Sequence, residues 1–289
     1  MQITEKITLN SQELVNCQKL IEKVHRFDQT YSDPYLSNAY NYFEQMPTFV
    51  LAYVGQKLVG LVMLYADEKP NDLVDVYVLV DPDFRRQQIA SKMIDDAQKI
   101  LNKYGYTNFC FPCEKIFLNR NPQFLAKTHL NLIDDAEYNM ATKQPTKIKQ
   151  TDHLNQVLTI ANLRKRDIEQ VAQLQSRAFG ENLSSSTKYI AQSLANDQIK
   201  SFILLFNDEI VGYCAVDRGK VDYLFGLFIA DKWQKQGFGS YFIKKIMELL
   251  QEQGSQKFVL DVEVDNHCAI QAYQNAGFKI RSKNIYLKQ

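Results

Sequence analysis

Several classes of protein are excluded by what this chain lacks. None of its apolar runs is long enough to cross a membrane, and residues 1–6 show no signal-peptide core. The formal net charge over 289 residues is only +1, so no strongly charged partner such as nucleic acid is expected. These absences predict a cytoplasmic protein with neither a membrane nor a nucleic acid as its partner.

Cysteine and histidine give little sign of cross-links or metal ligands. The five cysteines are odd in number and widely spread, which does not indicate a disulfide framework. Cys110 and Cys113 have C-x-x-C spacing, but one such pair without a nearby histidine is weak support for zinc or redox chemistry. The four histidines show no ligand spacing, and we therefore predict no metal site.

The length of the chain fits two domains. With 289 residues and 45% hydrophobic content, it can form two domains of about 145 residues, each with its own core. Residues 142–156 are polar, lack periodicity and include Pro145, so they are predicted to link domains 1–141 and 157–289. Both halves contain the same order of predicted elements: a hairpin, a strand, a long helix and another strand. This order predicts an α/β (α+β) fold class.

The most informative segment is residues 233–240, which read Trp-Gln-Lys-Gln-Gly-Phe-Gly-Ser. It joins a predicted strand, 222–229, to a predicted helix, 241–253. Gly237 and Gly239 lack a Cβ, so the backbone can turn tightly and lie close to a ligand. The N–H groups that start the helix have no helical partner and lie at the positive end of its dipole. The segment therefore predicts a site for a phosphate or pyrophosphate group.

Three motifs carry a family resemblance. In chain order they are Gln234-x-x-Gly237-x-Gly239, Asn266-x-x-Ala269-x-x-x-Tyr273 and Gly277-Phe278. Their order and spacing resemble the GCN5-related N-acetyltransferase (GNAT) family over residues 158–289. The resemblance implies a mixed, mostly antiparallel sheet flanked by helices. It also implies that acetyl-CoA is the cosubstrate and that a primary amine, on a small molecule or a peptide, accepts the acetyl group.

The resemblance further implies which residues hold acetyl-CoA. Its pyrophosphate would lie on the glycine turn, and its thioester carbonyl would accept hydrogen bonds from backbone N–H groups of the preceding strand. Gly226 in that strand suits a bulge, which frees backbone donors from the ladder. The predicted cofactor-binding residues are Leu227, Phe228, Ile229, Gln234, Lys235, Gln236, Gly237, Phe238, Gly239, Ser240, Asn266 and Tyr273.

Catalytic roles follow from the same resemblance. Tyr273 would protonate the leaving CoA thiolate as a general acid. Asp261 lies five residues before Asn266, where the similar ribosomal-protein alanine acetyltransferases carry a carboxylate, and is one candidate general base. Glu263 and Asp222 compete with it, and a mechanism without a dedicated base is the remaining alternative. An enzyme is favoured over a non-catalytic acyl-CoA-binding sensor or scaffold, because a binding module needs no proton donor.

The pattern occurs twice in the chain. An offset of 149 pairs Ile229 with Val80, Gln234 with Arg85, Gly237 with Gln88, Gly239 with Ala90, Glu263 with Glu114 and Tyr273 with Phe124. Further upstream the offset is 152, at Val59-Gly60 and Val211-Gly212, which a difference in loop length explains. The chain is therefore predicted to hold two tandem copies of one fold.

The N-terminal copy is predicted to have lost the chemistry. Gln88 places a side chain where the pyrophosphate would approach, and Phe124 has no proton to donate. Arg85 and Arg86 keep a positive charge that could contact phosphate. We expect this copy to supply an interface, as a partner subunit would, so that the chain is a pseudo-dimeric monomer or a homodimer.

Overall fold

The computed structural model describes residues 1–146, 154 and 157–289. These residues form two compact units, and the division does not follow the order of the chain. The first unit comprises Met1–Ala136 together with Ser282–Gln289, and the second comprises Glu137–Arg281. The end of the chain therefore belongs to the unit that its beginning forms.

The first unit is a six-stranded sheet with four helices in its described residues. Its elements are β1 (Gln2–Lys6), α1 (Ser11–Asp28), β2 (Phe49–Val54), β3 (Lys57–Tyr65), β4 (Val74–Val80), α2 (Ile89–Lys103), β5 (Phe109–Glu114), α3 (Lys115–Arg120), α4 (Phe124–Thr128) and the last strand, β12 (Lys279–Lys288). The strand order is β1-β2-β3-β4-β5-β12. Neighbouring strands are antiparallel except β4 and β5, which are parallel.

The second unit repeats this arrangement. Its elements are β6 (Asn131–Thr142), which enters from the first unit, then β7 (Leu158–Asn162), α5 (Ile168–Phe179), α6 (Leu183–Ala195), β8 (Ile199–Phe206), β9 (Glu209–Asp217), β10 (Asp222–Ile229), α7 (Phe238–Glu252), β11 (Phe258–Glu263) and α8 (His267–Ala276). The strand order is β6-β11-β10-β9-β8-β7. Among the strands that the structure describes in this unit, only β10 and β11 pair in parallel.

The long helix of each unit packs on its sheet through an apolar stripe. The buried positions are Ile89, Met93, Ala97 and Leu101 in α2, and Phe238, Phe242, Ile246 and Leu250 in α7. Successive members are four residues apart, so they share one face of the helix. Burial of each large apolar side chain stabilises the packing by about 1.5–3 kcal/mol. In the described part of the chain, no helix has both the length and the apolar character needed to span a membrane.

The predicted internal repeat is confirmed by matching irregularities. The pairing of β2 with β3 skips Val59, and the pairing of β8 with β9 skips Val211, which is the predicted offset of 152. Two differences then change the offset to 149. The loop before β4, residues 66–73, is four residues longer than the loop before β10, residues 218–221, and β10 carries one extra residue in a bulge.

The predicted domain boundaries differ from the observed units. Thr142, predicted as the first linker residue, ends β6 and pairs with Phe258 of β11. Residues 284–287, predicted in the C-terminal domain, pair with β5 of the first unit. The reason is strand pairing, because each sheet fills an edge with a strand from the other half of the chain. Residues 147–153, 155 and 156 of the predicted linker lie outside the described residues.

Candidate functional site

An opening between two parallel strands marks the candidate site of the second unit. β10 and β11 pair at Asp222–Phe258 and Tyr223–Val259, and in the described residues no further pair joins them. Beyond Tyr223, no strand in the described part of the chain pairs with the edge of β10 that faces β11. The backbone N–H and C=O groups of this edge need a partner, which a ligand in the opening can supply.

A bulge reshapes the strand beside this opening. β10 leaves its register with β9 between Phe225 and Phe228, where Gly226 and Leu227 face a single residue of β9. Gly226 has a φ angle of +59°, and a Cβ added there would lie 3.3 Å from Cε1 of Tyr189. Both the backbone angle and the nearby ring therefore favour glycine. The bulge that Gly226 predicted is present.

The glycine turn follows β10 and leads into α7 at Phe238. Lys235 and Gly237 have left-handed φ angles of 60° and 82°, and no side chain caps the start of the helix. A Cβ added at Gly237 would meet no atom within 4 Å, and Lys235 and Gln236 are exposed. The first-turn N–H groups of α7 thus follow an exposed turn and have no side-chain cap, so they can bind an anion.

Three of the residues predicted to bind the cofactor also have contacts within the second unit. The Gln234 amide donates a hydrogen bond to the Ile229 carbonyl at 2.9 Å, which fastens the turn to the end of β10. The Ser240 hydroxyl donates to the Ala272 carbonyl at 3.2 Å and joins α7 to α8. The side chain of Phe238 is buried in the core, so only its backbone N–H can meet a ligand.

Tyr273 lies two turns into α8. Asn266 caps this helix, and its side-chain oxygen accepts a hydrogen bond from the Ala269 N–H at 3.1 Å. Tyr273 itself is 7% exposed and belongs to the core of the second unit. Burial, with a smaller contribution from the buried Cys214 thiol, raises the pKa of Tyr273 far above its usual range. Its hydroxyl therefore stays protonated at neutral pH and can serve as a proton donor.

The Gly277-Phe278 pair ends this helix in a fixed geometry. Gly277 has a φ angle of +107°, and a Cβ added there would lie 3.0 Å from the Gln144 carbonyl. The Phe278 N–H donates to the Tyr273 carbonyl at 3.0 Å, a bond typical of a helix end with a left-handed glycine. The pair thus anchors the backbone of Tyr273.

Both carboxylate oxygens of Asp261 accept hydrogen bonds. The Asn139 side-chain amide donates to Oδ1 at 2.8 Å, and the Tyr223 hydroxyl donates to Oδ2 at 2.9 Å. Arg281 Nε in turn donates to Asn139 Oδ1 at 2.8 Å. None of these three partners was predicted. Strand alternation could have indicated Tyr223, but Asn139 and Arg281 lie in strands whose pairing the sequence does not reveal.

The candidate acid and this candidate base lie on opposite faces of β11. Leu260 and Val262 pack in the same core as Tyr273. Because side chains alternate along a strand, Asp261 between them faces the other side of the sheet.

The other two candidate bases lie in different surroundings. Glu263 is exposed at the end of β11. Asp222 is only 2% exposed and forms an ion pair with Arg218, 3.0 Å from its Nε. It pairs with Phe258 where β10 and β11 are still joined, so it lies at the end of β10 away from the glycine turn.

The first unit keeps the turn in altered form. Arg86 and Gln88 have φ angles of 62° and 61°, close to those of the second unit. Arg85 Nε donates to the Val80 carbonyl at 3.1 Å, and the other two guanidinium nitrogens bind the Asp28 carboxylate at 2.8 and 2.5 Å. The Arg85 charge, predicted as a possible phosphate contact, is therefore engaged in an ion pair.

The first unit lacks the other parts of the site. β4 pairs with β3 in continuous register, without a bulge. Pro112 stands at the position of Asp261, and it pairs with Tyr286 of β12. Among the residues that the structure describes in either unit, no group of three or more His, Cys, Asp or Glu side chains is placed to hold a metal ion.

The chain is similar in sequence to known acetyltransferases. The model of the acetyltransferase (GNAT) family matches residues 17–115 and 168–278. The chain is similar to N-alpha-acetyltransferase 30 of Schizosaccharomyces pombe, with 28% identity over 137 residues that cover 45% of this chain and 89% of that protein. Similarity to the Xenopus laevis protein of the same name is 29% over 91 residues, which cover 29% of this chain and 33% of that protein.

Two solved structures match nearly the whole chain in fold. A GCN5-related N-acetyltransferase from Sphaerobacter thermophilus has a TM-score of 0.71 at 11% identity, covering 99% of this chain and 95% of that one. A tandem GNAT protein from the clavulanic acid biosynthesis pathway has a TM-score of 0.68 at 13% identity, covering 99% and 98%. At such low identity the likeness concerns the fold alone.

Proposed function

Because the chain belongs to the acetyltransferase (GNAT) family, we propose that its second unit transfers an acetyl group from acetyl-CoA to a primary amine. The observation that carries this proposal is the opening between β10 and β11, one side of which continues into an uncapped glycine turn. An acyl-CoA needs donors for both its pyrophosphate and its thioester carbonyl. These two features supply them within one continuous segment.

The pyrophosphate binds at the start of α7. Backbone N–H groups of residues 237–240 provide the donors, and the helix dipole favours the negative charge. The exposed Lys235 ammonium adds a positive charge to the same turn. Gln234 and Ser240 hold this turn in place through their hydrogen bonds to the backbone.

The thioester carbonyl binds backbone N–H groups of β10 near residues 227–229, past the bulge. When the amine attacks the carbonyl carbon, negative charge develops on this oxygen. Removal of one preorganised donor of this kind from an enzyme raises the activation free energy by about 2.7–4 kcal/mol. A backbone N–H that binds the oxygen here should lower the barrier by a similar amount. The bulge at Gly226 thereby contributes to catalysis through the backbone.

Proton transfer completes the reaction. As the C–N bond forms and the C–S bond breaks, the amine loses one proton and the CoA sulfur gains one. Asp261 accepts the proton from the nitrogen, directly or through water, and Tyr273 donates one to the sulfur. The two side chains lie on opposite faces of β11, so the amine approaches from one face and the thiol leaves on the other. A non-catalytic acyl-CoA sensor needs no proton donor, so the presence of Tyr273 favours the enzymatic function.

The α-amine of a peptide is the acceptor class with the most support. The curated proteins to which the chain is similar are named N-alpha-acetyltransferases. A small-molecule amine is the second candidate. The first unit serves as the non-catalytic half of a pseudo-dimer, and a cytosolic location stays a prediction.

Calorimetric titration of acetyl-CoA into the full chain tests the proposal. We expect a stoichiometry near one, abolished by Gly237→Glu because the carboxylate would repel the pyrophosphate. Gln88→Glu at the equivalent position of the first unit is the matched control and should bind like the wild type. A stoichiometry near two would refute a degenerate first unit, and no binding at all would refute the enzyme.

Fluorescence of the single tryptophan gives an independent measurement. The chain has one tryptophan, Trp233, which directly precedes the glycine turn. A change in its emission on addition of acetyl-CoA would locate binding in the second unit. Acetylation of short peptides with free N-termini, followed by mass spectrometry, then tests the acceptor class.

A further inference from the structure

We infer that Asn139 and Arg281 are positioning residues that hold Asp261 ionised and correctly oriented for the acetyl transfer. This inference rests on the proposed function, in which Asp261 is the general base. Asn139 comes from β6, 122 residues away from Asp261 in the sequence, and Arg281 comes from β12, beyond the helix that follows β11. No motif of the chain points to either of them.

Chemistry fixes the direction of the two hydrogen bonds that the Asn139 side chain makes. An arginine side chain can only donate, so Asn139 Oδ1, 2.8 Å from Arg281 Nε, must accept. The amide nitrogen of Asn139 therefore faces Asp261 and donates to its Oδ1 at 2.8 Å. An ionised carboxylate can only accept. The bond that Asn139 donates therefore stabilises the negatively charged form of Asp261.

Burial makes the arrangement rigid. Asn139 is 1% exposed, and its backbone lies directly opposite Asp261 in the antiparallel pairing of β6 with β11. A buried amide that lost one of its partners would cost about 1–3 kcal/mol. The positive charge of Arg281 polarises the amide and strengthens the bond that Asn139 donates. Hydrogen bonds to the charged form favour that form.

Two donors hold the two oxygens of the Asp261 carboxylate. Asn139 donates to Oδ1 at 2.8 Å, and the Tyr223 hydroxyl binds Oδ2 at 2.9 Å. A carboxylate held at both oxygens keeps one orientation, and a fixed orientation is what a general base needs for an efficient proton transfer.

The first unit shows that the fold does not require this group. Its corresponding pair of strands, β5 and β12, places Pro112 opposite Tyr286, and Asp75 stands at the position of Tyr223. No carboxylate or amide occupies the two paired positions, yet the same strand pairing forms. The three side chains around Asp261 accompany the glycine turn and Tyr273 in the second unit, which favours a role in the reaction.

A double-mutant cycle tests the inference, with acetyl-CoA and a mixture of short peptides bearing free α-amines as the probes. We expect Asp261→Asn to lower kcat by about 100-fold, the size typical of a lost general base. Asn139→Ser and Arg281→Gln should each lower kcat by about 10-fold through misplacement of the carboxylate. In the Asp261→Asn background the same two changes should alter kcat less than about 2-fold, because their target is gone.

The pH profile separates positioning from folding. Loss of a donor to the ionised carboxylate should move the acid limb of kcat to higher pH in Asn139→Ser and Arg281→Gln. Asn284→Ser, which changes a buried strand asparagine of the first unit, is the matched control and should leave kcat and its profile unchanged. If Asn139→Ser does not fold, Arg281→Gln carries the test, because Arg281 is partly exposed.

Two results would overturn the inference, and they can be told apart. An equal fall in kcat in both backgrounds, with an unmoved acid limb, would show that Asn139 and Arg281 act on the structure alone. An Asp261→Asn variant with wild-type kcat would remove the general base and the inference together. Binding of acetyl-CoA, measured separately, shows whether the proposed function survives either result.

Discussion

The two units of this chain are more alike in backbone conformation than in the side chains that would bind a cofactor or react. Both have a left-handed turn before the long helix, at Gln88 in the first unit and Gly237 in the second. Both have a hairpin bulge at equivalent positions, and both have parallel central strands that pair at only two positions. The fold therefore persists after the residues that suit a cofactor have changed.

The differences that concern the candidate site are one inserted residue in a strand and a few side chains. The bulge at Gly226 is present in β10 and absent from β4, so the first unit lacks the strand distortion that frees backbone donors. Glu114 accepts hydrogen bonds from the Tyr31 and Ser32 N–H groups at 2.5 and 2.9 Å, whereas the equivalent Glu263 is exposed. The first unit has replaced a possible ligand site with contacts to its own chain.

Replacing Tyr273 by phenylalanine should have the largest effect. Phe124 occupies this position in the first unit, so Tyr273→Phe makes the second unit resemble the first. We expect kcat to fall by about 10- to 1000-fold, because the thiolate loses its proton donor. Tyr241→Phe, another buried tyrosine of the second unit, is the matched control. Steady-state kinetics that show equal turnover in Tyr273→Phe and the wild type would remove Tyr273 from this role.

Arg85 and Gln234 occupy equivalent positions in the turns of the two units, and they should contribute different amounts to the free energy of unfolding. Arg85→Ala leaves Asp28, which is 5% exposed, without its cation, and should lower the free energy of unfolding by about 3 kcal/mol. Gln234→Ala removes a neutral side chain that holds the equivalent turn and should cost about 1 kcal/mol. Urea denaturation measures both. An equal fall in the free energy of unfolding in both variants would mean that the Asp28–Arg85 ion pair does not stabilise the first unit.

The sequence predicted the repeated part of the fold well, because local patterns specify it. The helices α1, α2 and α7 and the hairpins follow from apolar periodicity and turn residues. The exchanged strands β6 and β12 could not be predicted, since their partners lie more than a hundred residues away in the chain. For the same reason the sequence suggested Asp261 but not Asn139 or Arg281.

Asp75 should make the stability of the first unit depend on pH. Burial raises its pKa to about 6, although a hydrogen bond from Cys110 opposes the shift. The unfolded chain releases this proton near pH 4, so the folded state binds more protons between these values and loses stability as the pH rises through that range. At pH 7, Asp75→Asn should raise the free energy of unfolding by about 2 kcal/mol.

Denaturation at pH 4 and pH 7 measures this effect. The gain in Asp75→Asn should be present at pH 7 and largely absent at pH 4, where the wild-type group is protonated in both states. Asp197→Asn, at an exposed position of the second unit, should show no such difference. Tyr223 stands at the position of Asp75 in the second unit, which therefore lacks this source of pH dependence.

Gln88→Gly should have the smallest effect on the free energy of unfolding, and it compares the two glycine-turn positions directly. Gln88 has a φ angle of +61°, which costs a side chain about 1 kcal/mol relative to glycine. Glycine also gives the unfolded chain more freedom, so the net gain in the free energy of unfolding should be about 0.5 kcal/mol. The turn would then match Gly237 in the second unit. Because β4 lacks the bulge and Pro112 replaces the carboxylate, calorimetry should still find one acetyl-CoA per chain. A second bound acetyl-CoA in Gln88→Gly would mean that this one side chain, and not the strand, excludes the cofactor from the first unit.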